Sequence, residues 1–262
     1  MPAVRFERQK SIGHIVLANP PDNLLNIRFS ECLQEAVHAA GDSDIRVLLI
    51  RAEGENFSRG GDILDFITRD ANSFRTFVGD VHRSYRAIEA LQVPTVCAVR
   101  GAAYGGGLEL VLACDLVVAA ETAEFFCVEA SVGSAPLAGA VQRLASRAGP
   151  ARAARYAMLS EKFSGAVAGQ LGIVSHVVPE SEVERTALAL AQKLSAGPTR
   201  SYGAIRGLLK AWSGGGIPAA DALQLDLTIG LHSTEDARRG RTARVEALQK
   251  GIEPSPPVFE GR

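Results

Sequence analysis

The stretch Tyr104-Gly105-Gly106-Gly107-Leu108-Glu109-Leu110 decides how this chain is read. Three consecutive glycines are a costly way to build a strand or a helix interior, because each loses much backbone entropy on folding. They suit a place where another group must approach the main chain closely. Leu108 to Ala113 follow as Leu-Glu-Leu-Val-Leu-Ala, good helix formers on the whole, with no Gly or Pro. The glycines therefore lie at a helix N-terminus, where free N–H groups and the helix dipole favour negative charge. Glu109 falls in the first turn among apolar neighbours. A carboxylate so placed is a candidate general acid or base. The plainer reading is a capping carboxylate on a buried helix.

Working outward, a second glycine turn, Arg59-Gly60-Gly61-Asp62, also follows an apolar run of strand length, Ile45–Arg51. Two such turns can aim N–H groups at one point, the geometry that stabilises charge developing on a carbonyl oxygen. Neither turn fits Gly-x-Gly-x-x-Gly or a Gly-x-x-x-x-Gly-Lys-Ser/Thr phosphate loop, so nucleotide binding has no support. A second carboxylate, Glu129, follows the apolar Phe125–Val128 and lies 20 positions after Glu109. A helix, a strand and a hairpin fit between them, so the chain can return to the same point. Two carboxylates near one carbonyl site can divide acid and base roles if their environments separate their pKa values. Spacing alone leaves open whether they meet.

The remaining pattern alternates strands and helices up to about residue 195 and is mostly helical beyond it. Strands are expected at Val4–Gln9, Ile12–Ala18, Ile45–Arg51, Thr95–Val99, Leu116–Ala120, Phe125–Val128 and Gly172–Val178. Helices are expected at Ser30–Ala40 with Ser30 as N-cap, Asn72–Ala90, Arg143–Met158 with a Gly149-Pro150 break, and Glu182–Leu194. Further helices are expected at Ser201–Trp212 and Pro218–Leu231. A last one, to Lys250, opens on a capping-box pattern at Ser233–Asp236. That helix carries Arg238, Arg239, Arg241, Arg244 and Lys250, either a solvated face or a contact to an anionic ligand. Alternation of this kind implies an α/β fold with helices packed outside a mixed or parallel sheet.

Composition narrows the function. The 262 residues carry a formal net charge of −1, which gives no support for nucleic-acid or membrane-surface binding. No apolar run reaches the roughly 18 residues of a membrane span, and the N-terminus does not read as a signal peptide. Cys32, Cys97, Cys114 and Cys127 are scattered in apolar segments and read as core residues of a reducing, cytoplasmic compartment. His14, His38, His82, His176 and His232 show no metal-ligand spacing, and no metal or separate cofactor is expected.

The motifs together resemble the enoyl-CoA hydratase/isomerase, or crotonase, superfamily over nearly the whole chain. The matching pieces begin with Asn23-Leu24-Leu25-Asn26 and Phe57-Ser58-Arg59-Gly60-Gly61-Asp62-Ile63. The most specific is Pro94 to Gly101, then Ala103 to Leu110, then Cys114-Asp115. Phe125 to Glu129, Gly133, Pro136, Gln142-Arg143-Leu144, Ala168 to Pro179, Ser233 to Asp236 and Pro257 to Arg262 complete it.

The resemblance implies a crotonase-like spiral of repeated ββα units over residues 1–195, carrying an acyl-CoA site. It implies a helical region over 196–262 for oligomerisation, as a homotrimer or dimer of trimers, and for covering the active site. The implied substrate is an acyl-CoA thioester, with coenzyme A part of the substrate. Gly61 and Gly106 match the oxyanion-hole positions, and Glu109 and Glu129 match both catalytic carboxylates of hydratases. Leu24, Arg59, Gly60, Gly61, Asp62, Ile63, Tyr104, Gly105, Gly106, Pro136 and Leu137 match positions around the CoA and acyl groups. The main chain near Arg59, Gly61 and Ile63 would face the adenine.

Keeping both acids favours hydration of a 2-enoyl-CoA to a 3-hydroxyacyl-CoA over isomerisation. One departure stands out: Pro136-Leu137-Ala138-Gly139-Ala140 replaces the family's Pro-Gly-Ala-Gly-Gly. Leu137 keeps an N–H for the reacting water, but its side chain could fill part of the acyl pocket. An isomerase, another crotonase-type acyl-CoA enzyme, or a weakly catalytic acyl-CoA-binding protein are the competing readings.

Overall fold

The computed structural model describes residues 2–262; Met1, the first residue of the expected core region, lies outside them. The chain divides into two compact units, one reaching up to Ala90 and resuming over Thr95–Ala191, the other made of Leu91–Pro94 and Gln192–Arg262.

In the first unit β1 (Val4–Gln9) and β2 (Ile12–Leu17) pair antiparallel, followed by α1 (Ile27–Gly41) and β3 (Val47–Ala52). A one-turn α2 (Ile63–Phe66) and α3 (Ala71–Ala90) come next. Then come β4 (Thr95–Val99), β5 (Ala102–Tyr104), α4 (Gly106–Leu112), β6 (Leu116–Ala120) and β7 (Glu124–Phe126). The unit continues with α5 (Ala140–Ala148), α6 (Pro150–Leu159), β8 (Phe163–Ser164), α7 (Gly165–Gln170) and β9 (His176–Val178). The main sheet runs β1-β2-β3-β4-β6-β9 and is parallel from β2 onward. β2, β3 and β4 are buried almost throughout, which is why Val47–Ile50 and Val96–Val99 are continuous apolar runs rather than alternating ones.

A smaller sheet, β5-β7-β8, takes the second strand of each repeat. Single parallel bridges continue its pairing, Ser58 with Ala103 of β5 and Leu25 with Gly61. The repeat is then visible: β3, Ser58, α2 and α3; β4, β5 and α4; β6, β7 and α5. This is the ββα spiral that the motifs implied.

Local details correct the sequence reading. The N-cap of α1 is Asn26, whose side chain accepts the Phe29 amide at 3.1 Å; Ser30 lies one turn inside and is buried. Helix α4 starts at Gly106, two residues earlier than its composition suggests, because Gly107 packs directly on Ser58. The strand before Glu129 is only Glu124–Phe126, and Glu129 opens a 3-10 turn through Val132. β9 is three residues long, and the short β8 and α7 precede it. The Gly149-Pro150 break does separate two helices, with Pro150 at the first position of α6.

The helix α8 (Val183–Ser195) leads into the second unit, which holds α9 (Thr199–Thr228) and α10 (Glu235–Lys250). Gly215 and Gly216 leave helical geometry and break α9 where the sequence placed the stop. The cap of α10 is Thr234, whose hydroxyl accepts the Ala237 amide at 3.2 Å, so the expected capping box does not form. Asp236 is instead buried and accepts the Glu260 and Gly261 amides, each at 2.7 Å, fastening the tail. Arg238 and Arg239 pair with Glu235, Arg239 also with Glu260, and Arg241 donates to the His232 carbonyl. No helix among the described residues is long and apolar enough to cross a membrane.

Candidate active site

The parallel register explains how two distant glycine turns meet. The Ser58 amide donates to the Ala102 carbonyl and the Tyr104 amide to the Ser58 carbonyl, both at 2.9 Å. Three residues beyond each partner lie Gly61 and Gly106, carried forward side by side. A Cβ on Gly60 would come within 2.8 Å of the Tyr104 carbonyl oxygen, so the two turns stack main chain on main chain. Gly105, at φ 45° and ψ −120°, takes a conformation that suits glycine alone.

Two amides are left over. The Leu25–Gly61 bridge uses the Gly60 carbonyl and the Asp62 amide, each at 2.9 Å, which turns the Gly61 N–H away from Leu25. That N–H meets no acceptor among the described residues. Gly106 is the first residue of α4, where the N–H has no intrahelical acceptor. A Cβ on Gly61 would overlap the Phe66 ring, and one on Gly106 would overlap Leu25. The fully buried Tyr85 donates its hydroxyl to the Gly106 carbonyl at 2.7 Å and so fixes the Gly106–Gly107 peptide, next to the one that carries the Gly106 N–H.

The carboxylates differ in environment. Glu109 is 2% exposed, and its Oε1 accepts the Ala138 amide at 2.7 Å and the Ala140 amide at 3.1 Å. Burial raises its pKa, while the amides of Ala138, Ala140 and Gly139, with the Arg143 charge, pull it back toward the ionised form. Glu129 lies against Gly105, where an added Cβ would come within 3.0 Å of its Oε1. Its Oε2 is buried with no hydrogen-bond partner among the described residues. Burial, and then the Glu109 charge, push Glu129 up to about 7. Burial thus raises both acids, but three main-chain amides and Arg143 offset it at Glu109, whereas only its own amide offsets it at Glu129.

The amides and both carboxylates line one cleft of about 280 Å³. Its walls are otherwise largely apolar: Leu25, Ile63, Phe66, Phe74, Phe77, Val78, Val81, Val128, Val132, Leu137 and Ala138, with Ser134 and Arg59. Of the residues singled out from sequence, Arg59, Gly61, Ile63, Gly105, Gly106, Glu109, Glu129 and Leu137 are in this lining. Leu24, Gly60, Asp62, Tyr104 and Pro136 are not. Leu24 is half-buried beside the lining residue Leu25, and Gly60 turns the chain against Tyr104. Asp62 caps α2 by accepting the Asp65 amide, and Tyr104 sits under Arg59 and Lys162. Arg59 is half-exposed and 3.9 Å from Asp22.

The sequence reading missed the aromatic wall and the Ala138 and Ala140 amides. Phe74, Phe77, Val78 and Val81 follow an i, i+3, i+4, i+7 spacing, a signal for a buried helix face but not for what that face covers. Unlike the glycine turns, the Ala138 and Ala140 amides have no residue type that marks them as donors.

Comparisons with known proteins match nearly the whole chain. A family model described as enoyl-CoA hydratase/isomerase matches residues 7–253. A probable enoyl-CoA hydratase of Rhodobacter capsulatus is 30% identical over 260 residues, covering 99% of this chain and 98% of that protein. The 2,3-dehydroadipyl-CoA hydratase of Escherichia coli is 30% identical, with 97% of each chain covered. A crystal structure of an enoyl-CoA hydratase subunit from Geobacillus kaustophilus superposes with a TM-score of 0.87 at 27% identity, covering 99% of this chain and 98% of that one.

Proposed function

Because the chain belongs to the enoyl-CoA hydratase/isomerase family, we propose that it adds water across the 2,3 double bond of a 2-enoyl-CoA, giving a 3-hydroxyacyl-CoA. The observation that carries this reading is the pair of buried, unequally solvated carboxylates in the cleft that the Gly61 and Gly106 amides line.

The thioester oxygen accepts the Gly61 and Gly106 amides, which stabilise it as it gains charge. Water sits between the carboxylates. Glu109, kept toward its ionised form by main-chain donors, takes a proton from the water as its oxygen bonds to the β-carbon. The π electrons move into the thioester enolate. Glu129, pushed up to about 7 and so carrying its proton in a large share of molecules at neutral pH, gives that proton to the α-carbon and the thioester carbonyl re-forms. Glu109 ends protonated and Glu129 ionised, and proton return between them resets the pair. The test is loss of the conjugated-thioester absorbance by wild type, Glu109→Gln and Glu129→Gln. Each variant is expected to be slower by roughly 10²–10⁴-fold. Turnover of 3-enoyl but not 2-enoyl thioesters would assign isomerisation instead.

The reading extends to assembly. Ile205, Leu209 and Trp212 are exposed along one face of α9. An exposed apolar stripe suits a protein–protein contact, here self-association as a trimer or pair of trimers. Sedimentation at micromolar concentration tests it, and a monomer would count against it.

A further inference from the structure

We infer that this cleft takes a neutral, apolar acyl group longer than four carbons and rejects acyl groups ending in a second carboxylate. The inference rests on the proposed acyl-CoA reading of the same cleft and adds the substrate class.

The largely apolar lining of the cleft gives the acyl tail a surface to pack on beyond the reacting carbonyl. Phe66 packs directly on Gly61, so an aromatic wall starts at the oxyanion amide itself. Phe66, Phe74 and Phe77 form one cluster, with ring centroids 5.2, 5.3 and 6.4 Å apart. Val132 and Leu137, both exposed, line the same cleft from the turns that follow β7. A four-carbon chain would leave most of this surface wet. Each further buried methylene is worth roughly a threefold to fourfold gain in affinity.

The same walls offer a distal carboxylate little, since their one hydroxyl, on Ser134, donates to the Ala135 carbonyl at 3.4 Å. Arg69 lies over the Phe77 ring at 5.5 Å, yet its guanidinium is held by both oxygens of Asp65 at 2.6–2.9 Å. Arg59 is the one cation in the lining among the described residues, and it sits half-exposed beside Asp22 and Tyr104. A carboxylate buried against the phenylalanines would lose its water without gaining a partner. It would also bring a further negative charge into a cleft that already holds the carboxyl groups of Glu109 and Glu129. Membership of a family that includes a dehydroadipyl-CoA hydratase therefore does not transfer that substrate to this chain.

Calorimetric binding of saturated thioesters tests this without any need for turnover. Octanoyl-CoA is expected to bind at least about tenfold more tightly than butyryl-CoA, and adipoyl-CoA at least about tenfold more weakly than hexanoyl-CoA. Phe74→Arg, at a half-buried position, is expected to narrow the hexanoyl–adipoyl gap at least about threefold. Phe74→Ala is expected to shrink the octanoyl advantage. Equal affinities from butyryl to octanoyl, or adipoyl binding as tightly as hexanoyl, would overturn the inference. Such a result alongside brisk hydration of crotonyl-CoA would leave the proposed reaction standing. The expected binding order with no hydration would instead remove the reaction and keep the pocket assignment.

Discussion

Glu109 Oε1 lies 2.7 Å from the amide nitrogen of Ala138, so the main chain of the 138–140 turn favours the charged form of this carboxylate against the burial that raises its pKa. Glu129 has no such partner for its Oε2. The pH dependence follows from that contrast. Hydration needs Glu109 ionised and Glu129 protonated, and Glu129 is pushed up to about 7. The rate is therefore expected to fall as pH rises through about 7 and to fall again in acid as Glu109 gains its proton. A pH profile of kcat/KM checks this, and a rate still rising from pH 7 to 9 would contradict it.

Glu129 should trade stability for chemistry. Its folded pKa lies above its ordinary value, so the native state binds its proton more tightly than the unfolded chain does. The associated stability is present below pH 4.5 and is lost as pH rises through about 7. Glu129→Gln removes the charge. It is expected to raise the unfolding midpoint by several degrees at pH 8.5, from about 1–3 kcal/mol, and to leave it nearly unchanged at pH 4. Thermal scans at both values decide the matter.

Arg143 acts through Glu109. Its guanidinium is forked on Glu89, both contacts at 2.7 Å, and it donates to the carbonyls of Ala138 at 2.9 Å and Gly139 at 3.2 Å. Arg143→Gln frees the turn whose amides hold Glu109. The acid limb of the pH profile is expected to move to higher pH and kcat to drop about tenfold or more, with KM less affected. Arg143→Lys is expected to restore part of both, an outcome that simple loss of stability would not give.

The two amides proposed to hold the thioester oxygen can be displaced though not deleted. Gly106→Ala puts a methyl group into Leu25 and is expected to shift the Gly105–Gly106 peptide that carries the N–H. A loss of roughly 10²-fold in kcat is expected, with CoA affinity largely kept. Near-normal kcat would show that this amide does not meet the thioester.

How much of this was legible in the sequence depends on where the information sits. Gly61, Gly106, Glu109 and Glu129 are carried by residue type, and all four prove to line one cleft. The alternation of strands and helices was legible because β3 and β4 are continuous apolar runs flanked by amphipathic helices, while the ββα repeat was implied by the family resemblance. Asn26 as the cap of α1, and the start of α4 at Gly106, were not, because tertiary contacts override local preference there. The Ala138 and Ala140 amides were invisible for a different reason: alanine side chains say nothing of where an N–H points.

His14 is a separate, acid-sensitive point. It is 7% exposed in β2, and neither ring nitrogen has a partner among the described residues. Burial, and then Arg51, lower its pKa. A base whose folded pKa is depressed contributes stability above its ordinary pKa of 6.5, and this is lost as pH falls through the folded value. His14→Leu is expected to flatten the decline in stability below about pH 6.5. Denaturant titrations at pH 8 and pH 5 compare the two proteins, and parallel losses would exclude His14 as the cause.

The most direct test is the disappearance of 2-octenoyl-CoA absorbance with wild type, Glu109→Gln and Glu129→Gln, all shown to bind octanoyl-CoA. Rapid loss in the wild type, with a 3-hydroxyoctanoyl product, and at least about a hundredfold slower loss in both variants is expected. Undiminished turnover in either variant, or none by the wild type on any 2-enoyl chain, would contradict a two-carboxylate hydratase.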